Sequence, residues 1–151
     1  MIPLDAVRTR LATLWLIGAA SVLIIVVLQS LLGHYDGKVE EVWAWLLPTL
    51  MPTLGMIITV LGYTALDPKA LEAVVRVNFL RISIWLSALY LLLVALTVLV
   101  QPFVDADAEK SLQLMRESNL WLGPIQGLVA SALGVLFVSK KEAGAAATVG
   151  G

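Results

Sequence analysis

Four apolar runs, at about residues 11–32, 43–66, 82–100 and 120–138, alternate with short polar stretches along the chain. Each is near the roughly 20 residues a helix needs to cross the hydrocarbon of a bilayer. Gly33 closes the first run, and His34-Tyr35-Asp36-Gly37 after it reads as a turn. That run is too long for the h-region of a secretory signal and stands as a transmembrane helix. Asp67-Pro68 reads as an N-cap followed by a first-turn proline. It opens a surface helix, Lys69 to Arg81, that leads into the third run, which Pro102 ends. Residues 105–119 are the most polar stretch; Leu112 and Met115 give it the pattern of a short amphipathic helix. Ser118 or Asn119 then caps the fourth run. The expected fold is an all-α integral membrane protein, one domain over residues 1–142. It is an antiparallel bundle of four transmembrane helices with short loops. The small, uncharged tail, residues 143–151, is expected to be disordered.

The second run, WAWLLPTLMPTLGMIITVLGYTAL, is the most unusual. Pro48 and Pro52 stand four apart, and one helical face reads Pro48, Pro52, Gly55, Thr59, Gly62, with Thr49 and Thr53 beside it. An interior proline supplies no amide donor and displaces the carbonyl four residues back, here those of Ala44 and Pro48. In hydrocarbon such carbonyls need another partner, and Gln126 and Thr97 are the candidate donors. This predicts a proline-kinked helix that turns the stripe towards protein or a hydrated gap, with the other segments packed around it; the alternative begins the helix at Pro48. Two further faces share this character. Ser83, Ser87, Tyr90, Thr97 and Gln101 recur at three- and four-residue steps on the third run. Gly123, Gly127 and Gly134 line the fourth, with Gln126 inside a G-x-x-x-G. Membrane helices associate through such small and polar faces, so these residues are the helix-packing or pore-lining candidates.

Composition agrees with a membrane class: 60% of residues are hydrophobic and 14% charged. The net charge of −1 offers no surface for nucleic acid. Seven of the ten basic residues lie at the N-terminus (Arg8, Arg10), the second connection (Lys69, Arg76, Arg81) and the tail (Lys140, Lys141). The positive-inside rule therefore puts both termini in the cytoplasm, with the chain in a plasma or inner membrane.

Catalytic chemistry is hard to find. The chain has no cysteine and one histidine, His34. No ionisable residue lies at the centre of a run, where proton relays and ion-coupled carriers place them. Asp105, Asp107 and Glu109 read as a solvated helix start rather than a metal site. No cofactor is implied and no catalytic motif is present. The expected partners are the lipid bilayer and either further copies of the chain or other membrane subunits. The expected role is a non-catalytic multi-pass subunit that anchors or scaffolds a membrane complex. Two alternatives stand beside it: a homo-oligomeric pore, including one triggered by a partner, and a binder or enzyme for a lipophilic substrate such as a quinone or lipid.

Overall fold

The computed structural model describes residues 2–35, 37–66, 74–103 and 108–138. Four helices account for nearly all of them: α1 (Leu4–Leu31), α2 (Val39–Leu66), α3 (Val77–Val100) and α4 (Ala108–Val138). Each is long and apolar enough to cross a membrane. A short antiparallel pair joins β1 (Ile2–Pro3) to β2 (Val74–Val75), with Ile2 opposite Val75. It ties the N-terminus to the segment that enters α3.

Inter-helix contacts set the arrangement. Trp15 stacks on Tyr90 at 5.7 Å, and Gln29 Nε2 donates to the Val98 carbonyl, so α1 and α3 run parallel. Arg116 pairs with Glu41 and Gln126 reaches Pro48 and Thr49, so α2 and α4 also run parallel. The two hairpins, α1–α2 and α3–α4, therefore lie side by side. α1 packs on α2 and α3, and α4 on the same two. Across one diagonal, Tyr90 of α3 meets Thr49 of α2. Across the other, Arg8 of α1 donates through Nε to the Leu136 carbonyl in the last turn of α4. A cation there also complements the negative end of the helix dipole. We call that the terminal end of the bundle, and the opposite one the hairpin end.

The interior is filled with side chains. Trp15, Tyr90, Leu46, Leu50, Ile57 and Leu133 are among the fully buried ones. Outward, Ile17, Ile24, Leu31, Trp85 and Leu128 are each more than half exposed, an apolar belt suited to acyl chains.

Several boundaries differ from those the sequence predicts. α1 reaches back to Leu4, because Val7 and Arg8 are buried at the terminal end. α2 is one helix from Val39 through both prolines, so it does not begin at Pro48. α4 is one helix from Ala108. Leu112, Met115 and Ser118 fall on the stripe that continues into Leu122, and all four are buried. The polar stretch is thus the opening of α4, and Ser118 bonds the Met115 carbonyl inside the helix rather than capping it. The expected surface helix over Lys69 to Arg81 is replaced, where described, by β2 and the start of α3. Asp36, Asp67, Pro68, Asp105, Asp107 and the tail lie outside the described residues.

Candidate functional site

The site is built on the backbone that Pro48 and Pro52 leave short of donors. Because residue 52 is proline, the Pro48 carbonyl has no amide four residues on, and the ring crowds the adjacent turn. Gln126 of α4 brings Nε2 to 3.4 Å from the Pro48 carbonyl and 3.3 Å from that of Thr49. From the other side, the Tyr90 hydroxyl donates to the Thr49 carbonyl at 2.8 Å. The Tyr90 ring is held by Trp15, tilted 32° against it. Thr49 itself turns back, its Oγ1 donating to the Trp45 carbonyl at 2.7 Å. Three helices thus meet at one turn of α2, which is clasped by a phenol and an amide, with Trp15 of α1 backing the phenol. Thr97, the other candidate donor, bonds the Leu93 carbonyl on its own helix instead.

The remaining candidates divide by face. Ser83, Ser87, Tyr90, Thr97 and Gln101 on α3 are all buried, as are Thr49 and Thr53 on α2. The predicted polar face of α3 is therefore the interior seam. Pro48, Pro52, Gly55, Thr59 and Gly62 are exposed, and so are Gly123 and Gly127, with Gly134 half-buried. A Cβ built on Gly55, Gly62, Gly123, Gly127 or Gly134 would meet nothing within 4 Å outside its own helical backbone. This corrects the expectation that the proline stripe of α2 is turned towards the rest of the chain. The large residues of α2, namely Leu46, Leu50 and Ile57, occupy the core instead. The hydroxyls on these outer faces are satisfied locally: Thr59 bonds the Gly55 carbonyl and Ser131 that of Gly127. The outer faces of α2 and α4 thus set these small residues among exposed apolar ones such as Met51, Ile58 and Leu128, with the charges of both helices confined to the hairpin end.

One glycine does make a close approach, and the pattern of stripes does not single it out. At Gly18 a Cβ would lie 2.7 Å from Leu91 Cδ1, so α1 and α3 come together there. The legible signal was the run Gly18-Ala19-Ala20-Ser21, the smallest stretch of α1.

At the hairpin end a second polar group closes the bundle. Gln29 accepts from the Tyr35 hydroxyl and donates to the Val98 carbonyl. Tyr35 is almost wholly buried, and burial pushes its phenol up to about 12. His34 sets its ring edge-on against Tyr35 at 5.3 Å. Gln101 is fully buried, and its amide bonds none of the described residues. Among the described residues no three of His, Cys, Asp or Glu gather where they could hold a metal. Comparison with known proteins finds no matching family model, no similar curated sequence and no similar solved structure.

Proposed function

We propose that the chain is a non-catalytic multi-pass membrane subunit that packs against other membrane-spanning helices through the outer faces of α2 and α4. One observation carries this reading. The small-residue positions that let helix backbones approach closely, Gly55 and Gly62 on α2 and Gly123 and Gly127 on α4, meet no side chain of their own chain. In a bilayer, helix association draws on close backbone packing and a few hydrogen bonds rather than on hydrophobic burial. Faces of this kind on neighbouring helices suit a partner helix. In this reading α2 is bent at its prolines and the clasp holds the bend, presenting Pro48 and Pro52 to the partner. Both termini lie in the cytoplasm.

The pore reading draws on the same outer face of α2, since the interior of a single chain is occupied by Trp15, Tyr90 and Leu50. A pore would have to run between copies. The mass of the assembly, extracted in mild detergent from its native membrane, separates the two. The subunit reading expects a defined complex with other proteins that Gly127→Leu dissociates. A symmetric homomer that conducts in liposomes would replace it with the pore.

A further inference from the structure

The charges of this chain are divided between the two ends of the bundle. Among the described residues, 2–12 and 74–82 at the terminal end hold four basic side chains and one acidic. Residues 32–35, 37–41, 101–103 and 108–118, at the hairpin end, hold three basic and four acidic. The hairpin end uses part of its charge internally, in the Arg116–Glu41 pair at 2.7 Å. At the terminal end Arg8 is buried and engaged with α4, whereas Arg10, Arg76 and Arg81 are exposed.

Two of these, Arg10 and Arg81, stand on the paired helices α1 and α3. α1 and α3 run parallel and meet where Gly18 faces Leu91. Arg10 lies eight residues before Gly18 and Arg81 ten before Leu91, so at 1.5 Å per residue they stand about 12 and about 15 Å from that contact, nearly level. Leu11 of α1 and Leu80 of α3 are buried next to them in the chain, which turns both guanidiniums outward. One turn further along α3 from Arg81, on the same face, Trp85 is 75% exposed. Its indole has the amphipathic character found at the boundary between headgroups and acyl chains. Neither Arg10 nor Arg81 forms an ion pair with a described residue.

We propose that Arg10 and Arg81 bind the phosphate of an anionic phospholipid in the α1–α3 groove at the terminal end, with Arg76 nearby and Trp85 against the upper acyl chains. Guanidinium groups suit phosphate through paired N–H donors. Basic pockets between membrane helices hold such headgroups, and each basic residue contributes about fivefold in affinity. The proposal does not depend on what covers α2 and α4, and this groove lies on the α1–α3 side of the bundle.

Native mass spectrometry of the detergent-purified protein tests it, with phosphatidylglycerol and phosphatidylcholine of equal chain length as probes. Phosphatidylglycerol adducts should exceed phosphatidylcholine adducts by about tenfold or more. The pair Arg10→Gln and Arg81→Gln should abolish that preference, and Arg10→Lys with Arg81→Lys should keep most of it. The pair Lys38→Gln and Lys110→Gln, at the other end, should leave it unchanged. For the unaltered protein the preference should also shrink as salt rises from about 0.1 to 1 M, where the screening length falls from about 10 to 3 Å. Equal retention of the two lipids, a preference that survives the Gln pair, or an equal loss in the hairpin-end control would each overturn the proposal. Tight binding of free glycerol phosphate without lipid would overturn it too, by showing a site for a soluble anion.

Discussion

Gln126 shows how a single side chain closes a gap that proline opens, and Tyr90 how the next carbonyl gains a donor from a neighbouring helix. Interhelical hydrogen bonds in membranes average about 0.6 kcal/mol, and an aromatic pair such as Trp15–Tyr90 adds about 0.5–1.5 kcal/mol beyond its burial. Tyr90→Phe keeps the stack and removes the bond to Thr49, so it should lower stability by about 1 kcal/mol, read as a shift in the detergent melting curve. An unshifted curve would mean that the Thr49 carbonyl is satisfied without Tyr90. Gly18→Leu should cost more, about 1–3 kcal/mol, because the added atoms run into Leu91. Tyr35 gives a pH signature at the hairpin end. Its phenol is neutral in both folded and unfolded chain below pH 10, its ordinary value. Above that the unfolded chain ionises first, because the folded-state value is raised to about 12. Stability should therefore fall between pH 10 and 12. Tyr35→Phe should lessen that fall, and an unchanged alkaline limb would contradict it.

At the scale of the element, α2 shows what a sequence pattern can and cannot say. Proline chemistry identifies the Ala44 and Pro48 carbonyls as short of a donor and leaves Gln126 and Thr97 as candidates; the fold selects Gln126 for Pro48. The outward direction of the stripe was not legible. A face of Pro, Gly and Thr is compatible with either side of a bundle, and only the competing demand of Leu46, Leu50 and Ile57 for the core decides it. Likewise the polar opening of α4 reads as a separate helix until Leu112, Met115 and Ser118 are seen to continue one buried stripe. On α3 the buried seam was legible, because hydroxyls and amides at three- and four-residue steps have few alternatives in hydrocarbon. A double-mutant cycle checks the clasp. In the Pro52→Ala background the Pro48 carbonyl regains an amide donor, so Gln126→Leu should destabilise less than it does alone. The expected coupling is about 0.5 kcal/mol or more. Additive effects would mean that Gln126 does not serve that carbonyl.

For the whole molecule, the four helices close their interior with their own side chains, and the small-residue faces of α2 and α4 are left outward. That division is the basis for proposing that the chain packs within a larger membrane assembly. Orientation belongs to this scale as well. Cysteines placed at Glu40 and Lys110 should react with impermeant thiol reagents from outside the cell, and one placed at Arg76 should react only after permeabilisation; the reverse pattern would invert the topology. The claim that α2 and α4 face another protein is tested most directly by cross-linking in the native membrane. The chain has no cysteine of its own, so single cysteines at Gly55, at Gly127 and, as a lipid-facing control, at Ile24 of α1 each report on one surface. Short bifunctional reagents should join the Gly55 and Gly127 variants to a protein of defined mass and leave the Ile24 variant monomeric. If all three stay monomeric, or the Ile24 variant is captured as readily as the others, the outer face of α2 and α4 is a lipid surface and the subunit reading fails.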